Sequence, residues 1–143
     1  MTADACSDVV TEAARTALAR IADVLIPSSD RMPSASTAGV AGHLLEATVK
    51  IRPDLWHRTQ PVLAACEDHA PEAVLAEAQA NDPRTYDAVC ELVAGTYFMN
   101  PKVRELIGYN GQEASPSLME MSEFMDLIAP VVERGPFFRQ SPD

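Results

Sequence analysis

Sulfur, positive charge and long apolar runs are all scarce in this chain, and each shortage removes a class of function. Cys6, Cys66 and Cys90 stand far apart with no CxxC pair. Neither a disulfide framework nor a zinc knuckle is therefore indicated, and Cys66 and Cys90 read as buried free thiols. The CxxCH pattern of covalent haem attachment is missing too. Basic side chains number 11 against 21 acidic ones, a formal net charge of -10. Such a chain repels a phosphate backbone and offers no Lys/Arg stripe to release counterions, so nucleic acid is not an expected partner. No apolar run approaches the roughly 18 residues that span a bilayer. The N-terminal stretch has neither a basic start with a long apolar core nor a twin-arginine pair, and the sequence reads as cytoplasmic. The 6 glycines fall at helix stops and turns. No GxGxxG follows a strand and no GxxxxGK precedes Ser or Thr, so this chain alone is not expected to hold a nucleotide or a flavin.

What is present is apolar and small. Apolar residues make up 47 % of the chain, aromatic ones only 6 %, and alanine is abundant where Val, Ile and Thr would dominate a strand-rich protein. At 143 residues the chain has the size of one domain and can bury about two-thirds of the surface its unfolded form exposes. The expectation is an all-α fold, a compact single-domain bundle of about five to seven helices over residues 1–143. Its C-terminal tail should be irregular, and residues 1–6 and 139–143 flexible.

Proline and glycine divide the sequence into helical pieces, without an internal repeat or a low-complexity segment. Ser7 or Asp8 can accept N–H bonds at the open end of a first helix, which runs to about Leu25 before Pro27 forbids continuation. Val10, Ala14, Ala17, Leu18, Ile21, Val24 and Leu25 form its apolar stripe. Residues 27–37, PSSDRMPSAST, carry no period and read as an extended surface loop into a second helix over about 38–51. Pro53 suits the first turn of a third helix, which holds Trp56 in the core, while Pro61 kinks it or marks a restart. Pro71 opens a short helix, AVLAEAQA. Asn81-Asp82-Pro83 puts a capping side chain ahead of a proline at the first helical position. The long helix that follows reaches about Met99, with Tyr86, Val89, Cys90, Val93, Ala94 and Tyr97 in helical rhythm. Asn100-Pro101 ends it and starts a shorter turn through Ile107. A last helix begins at Ser115 or Ser117, carries Leu118, Met121, Phe124, Met125, Leu127 and Ile128, and is interrupted by Pro130, leaving VVERGPFFRQSPD irregular.

Acid-base or nucleophilic catalysis needs groups of matched pKa in one pocket, and the side chains that ordinarily titrate near neutral pH are His43, His57 and His69. None belongs to a specific motif. His43 with Glu46, and His69 with Glu72, form HxxE pairs that could share a helix face and ligate iron or manganese. Di-metal helical bundles instead place Glu three residues before His and add carboxylates from facing helices. The weightier reading is ordinary surface or satisfied core histidines.

Aromatic residues are few but gather at helix ends. Tyr97, Phe98, Tyr109, Phe137 and Phe138 fall at or beyond such ends, and aromatics with Met are enriched at the buried centres of protein interfaces. They either fold back over the chain's own core or dock a partner. The stretches LARIADVLIPSSD, STAGVAGHL, NDPRTYDAVCELVAGTYF, NPKVRELIGYNGQ and VVERGPFFR occur in one order over roughly residues 18–139. Together they resemble the gluconate 2-dehydrogenase subunit 3 family, small subunits of flavin-dependent oxidoreductases of the glucose-methanol-choline type. The resemblance implies a non-catalytic helical subunit that binds and stabilises a large subunit carrying FAD, in a hetero-oligomer. No cofactor or metal is implied in this chain. Asp23, Ile26 and Pro27 match the family's first-helix ending, and Tyr97, Phe98, Pro101, Gly108, Tyr109 and Gly111 match its helix-end and loop pattern. These last six, with Phe137 and Phe138, are the expected partner contacts. Many members carry a twin-arginine signal that exports both subunits; its absence here points to a complex in the cytoplasm. The substrate, a sugar, polyol, glycoside or other alcohol, would be chosen by the large subunit. Two other readings stay open: a free-standing helical interaction or regulatory domain, and a metal protein using His43, Glu46, His57 and His69.

Overall fold

A computed structural model of the chain describes residues 10–112 and 121–136. Among them are seven α-helices and no strand: α1 (Glu12–Leu25), α2 (His43–Ile51), α3 (Pro53–Asp68), α4 (Pro71–Asn81), α5 (Pro83–Met99), α6 (Pro101–Leu106) and α7 (Met121–Arg134). The all-α expectation therefore holds. The chain divides into two compact units between Asn110 and Gly111, with α1 to α6 in the first and α7 in the second.

In the first unit α5 is the central element, packed against α2, α3, α4 and α6, while α1 lies on α3 and α4. The core follows from helical spacing. Leu18, Ile21 and Ala22 of α1, Trp56, Leu63 and Cys66 of α3, and Val89, Leu92 and Val93 of α5 are buried together. Burial of each large aliphatic or aromatic side chain stabilises by about 1.5–3 kcal/mol. The threonines within this core keep their hydroxyls satisfied: Thr59 donates to the Leu55 carbonyl at 2.8 Å, and Thr96 to the Leu92 carbonyl at 2.8 Å. Trp56 Nε1 and Gln60 Nε2 are buried with no hydrogen-bond partner among the described residues, at a cost of about 1–3 kcal/mol each.

Several local expectations are corrected. The first helix starts at Glu12, because Thr11 has extended backbone and its hydroxyl accepts from the Ala14 N–H at 3.2 Å; Ser7 and Asp8 lie outside the described residues. The second helix starts at His43 rather than near 38, because Gly39 takes a left-handed φ of 77° and its carbonyl accepts from the Gly42 N–H in a tight turn. The 27–37 segment is a surface loop as expected, exposed over 27–31 and at 36–37, but it is tied down where it meets the core. The Ala35 N–H donates to the Ile26 carbonyl at 3.0 Å, the Val40 N–H donates to the Ala35 carbonyl at 3.1 Å, and Ala35, Ala38 and Val40 are buried. Asp23 fastens the same segment by accepting from the Ser36 N–H (2.8 Å) and hydroxyl (2.6 Å).

Neither interior proline ends its helix. Pro61 lies within α3 and faces solvent, where water can satisfy the carbonyl its ring leaves without a donor, and the packing of α3 on α1 and α5 offsets the loss. Pro130 lies within α7, so residues 131–134 are helical instead of irregular. The expected start of that helix at Ser115 or Ser117, and Leu118, lie outside the described residues. None of the α7 residues is buried.

Candidate protein-docking site

Five of the expected contacts, Tyr97, Phe98, Pro101, Gly108 and Tyr109, lie at the end of α5 and in or just after α6. Asp82 opens α5 as the sequence suggests: its carboxylate accepts from the Thr85 hydroxyl at 2.7 Å and the Thr85 N–H at 3.2 Å. These two bonds hold the Asp82 carboxyl below the usual carboxylate range. Fifteen residues after Asp82 the same helical rhythm decides the fate of the aromatic pair. Tyr97 follows Val93 by four positions and is only 2 % exposed, with its hydroxyl donating to the Pro33 carbonyl at 2.8 Å. Burial pushes its phenol up from the ordinary value. Tyr97 is thus a core residue, and its expected role as a partner contact is corrected. Phe98, one step round the helix, is 48 % exposed and meets Tyr97 edge to face, with ring centroids 5.4 Å apart at 84°.

Asn100 then does two jobs. Its side-chain oxygen accepts from the Lys102 N–H at 2.8 Å, opening α6, while its amide nitrogen donates to the Ala38 carbonyl at 2.7 Å. Pro101 supplies the first helical position of α6 and Val103 anchors that helix in the core. The role of Pro101 is to start the helix, though its ring is exposed. At the far end Gly108 has a left-handed φ of 70°. Its N–H donates to the Glu105 carbonyl at 3.0 Å, and the next N–H, of Tyr109, reaches back to the Arg104 carbonyl at 2.8 Å. This paired closure of a helix C-terminus requires a residue that tolerates the left-handed region, which glycine does at no steric cost.

The closure turns Tyr109 back over the end of α6. Phe98, Arg104, Ile107 and Tyr109 thereby line a shallow cleft of about 220 Å³. Ile107 is 50 % exposed and Tyr109 53 %. The sequence pointed to Phe98 and Tyr109 and missed Arg104 and Ile107. Val103 and Ile107 stand four apart, which reads as one buried face, but the helix ends at Leu106 and leaves Ile107 outside. Gly111 is exposed and has a φ of 90°; it does not line the cleft. Phe137 and Phe138 lie outside the described residues.

Chemically the cleft can grip but has little with which to catalyse. Two rings and an aliphatic side chain offer apolar contact, and one guanidinium offers stacking or a carboxylate pair. Histidine, cysteine and carboxylate are absent from its lining. A larger hollow of about 370 Å³ lies between the 28–38 segment and α6, with Arg31, Asp30, Lys102 and serines among its lining residues. His43, His57 and His69 are all exposed; Glu46 pairs with Arg15, and one ring nitrogen of His69 lies 3.2 Å from the Ala65 carbonyl. No group of three or more His, Cys, Asp or Glu residues is placed to hold a metal ion among the described residues. Cys66 is buried, and burial raises its thiol pKa; Cys90 is only partly buried, against expectation. Among the described residues no helix is long and apolar enough to cross a membrane. Comparison with protein-family models, curated proteins and solved structures gives no match to this chain.

Proposed function

We propose that this chain is a non-catalytic small subunit that binds and stabilises a large FAD-dependent oxidoreductase subunit acting on a sugar, polyol, glycoside or other alcohol. The reading rests on the five motifs that resemble the gluconate 2-dehydrogenase subunit 3 family. One structural observation supports its interface: the rings of Phe98 and Tyr109 stay half exposed around a cleft with Ile107 and Arg104, although a buried core lies beneath them. Aromatic and Arg side chains of this kind dominate binding energy at protein interfaces. The flavin belongs to the partner, and stabilisation arises by mass action. A partner that binds only the folded large subunit contributes RT ln(1 + [L]/Kd), about 2.7 kcal/mol at a hundredfold excess over Kd.

The test is co-expression of the tagged chain with a large flavoprotein subunit of the glucose-methanol-choline type encoded next to it, if its neighbourhood holds one, or from the same genome, scored by co-purification and by flavin absorbance of the eluate. A yellow stoichiometric complex is expected. A colourless chain eluting alone and folded would favour the free-standing interaction domain instead. In the same assay Tyr109→Ala should weaken association by about 2 kcal/mol, the scale of an interface hot spot, without lowering the melting temperature of the chain by itself. Equal loss of folding and binding would make Tyr109 a structural residue.

A further inference from the structure

We infer that the hollow between the 28–38 segment and α6 is a binding site for a monocarboxylate with an apolar stem, an assignment that does not depend on the small-subunit reading. Arg31 lines it from the segment and Lys102 from α6. Neither forms an ion pair among the described residues, although acidic side chains outnumber basic ones 21 to 11 in the chain. Asp30 lines the same hollow and pairs with neither. Two cations against one carboxylate leave the lining with a single net positive charge, which one anionic group balances. The volume of about 370 Å³ falls within the range of small-molecule pockets, about 300–1,000 Å³.

The walls are fastened without any ligand. From the end of α5, Tyr97 donates to the Pro33 carbonyl at 2.8 Å and Asn100 to the Ala38 carbonyl at 2.7 Å. Ser29 closes a turn with Met32: its hydroxyl accepts from the Met32 N–H at 3.1 Å and its N–H donates to the Met32 carbonyl at 2.9 Å. Asp30 and Arg31 therefore sit at the tip of a held turn, and a preformed site spends little on ordering when it binds. Met32, Pro33, Val103 and Leu106 supply apolar lining, which an alkyl stem gains by covering. A planar carboxylate suits the guanidinium fork of Arg31, which can donate two parallel N–H bonds to it. A second negative charge on the ligand would find no further cation in the lining and would meet the field of a chain with net charge -10.

The experiment titrates the full isotope-labelled chain with hexanoate at pH 7 and low salt and follows methyl NMR signals. Saturable shifts are expected at Met32, Val103 and Leu106, with hexanol and inorganic phosphate each binding about tenfold more weakly or worse. Arg31 and Lys102 are exposed, so Arg31→Ala/Lys102→Ala should leave the fold intact while weakening hexanoate about tenfold or more. Lys102→Arg keeps the charge and should hold the affinity within about threefold. The peptide acetyl-Gly-Ala-Ala-Leu carries the same chemistry on a chain end. Binding tighter than hexanoate would assign the site to the C-terminus of a protein, and weaker binding to a free acid. No saturable shift at about 10 mM hexanoate, equal binding of hexanol or phosphate, or unchanged affinity in Arg31→Ala/Lys102→Ala would overturn the inference. None of these results bears on whether the chain joins a flavoprotein.

Discussion

Asp23 shows how one side chain joins a helix to a loop that carries no period in the sequence. Burial alone would push its carboxyl upward, but hydrogen bonds from the Ser36 hydroxyl and N–H, with Ser34, outweigh that and hold it below the usual range. The folded pKa is therefore below that of the unfolded chain, near 3.9. The carboxylate's contribution is fully present above the unfolded value and is lost as pH falls through the folded one. Asp23→Ala should accordingly lower the melting temperature at pH 7, and its difference from wild type should shrink as the pH is taken below about 4. A difference that stays constant down to acid pH would mean that the neutral acid holds Ser36 equally well. The sequence placed Asp23 at the end of the first helix through the family resemblance, but its partner Ser36 is 13 residues away along the chain. Such pairs are invisible to local patterns.

Short elements whose signals are local were legible in the sequence. The Asp82-Pro83 and Asn100-Pro101 starts are capping chemistry confined to three or four residues, and both helices begin where that chemistry places them. The buried turn at 35–42 was not legible, because Ala35 and Val40 join a core cluster drawn from distant helices rather than following any period of their own. Pro130 was read as interrupting its helix, which runs on to Arg134, and Pro61 as a kink or a restart, of which the unbroken α3 removes the restart. A proline costs a helix interior about 3 kcal/mol, and for α3 only the tertiary packing reveals that the helix continues. The candidate site was half legible: aromatics at a helix end singled out Phe98 and Tyr109, whereas Tyr97, which shares the apolar rhythm of Val93, is buried and donates to Pro33, far away in sequence. At this scale Gly108 governs the cleft. Gly108→Ala would strain the left-handed residue that closes α6, and should destabilise the chain by about 1 kcal/mol. Because the closure also positions Tyr109, association with the flavoprotein should weaken by more than stability does. Titration of the variant and of wild type by denaturant and by partner separates the two effects; equal losses would show that the cleft does not depend on the closure.

At the scale of the molecule the two units differ in what sustains them. The helices of the first share a core built around α5. α7 has 14 residues, an interior proline and no buried side chain. Isolated helices of that length are marginal in water even without a proline. Amide hydrogens of residues 121–134 should therefore exchange orders of magnitude faster than those of α5 in the free chain. Equal protection of the two segments in the free chain would show that something already supports α7.

The chain has a single tryptophan, and Trp56 stands fully buried in the first unit. Its fluorescence is consequently a private gauge of that unit's integrity: a dry indole emits at short wavelength while the helices hold and shifts red when water reaches it. A substitution at Tyr109, which is half exposed, should leave the spectrum of the free chain where it was. One emission trace thus tells a lost handshake from a lost fold, with no label added.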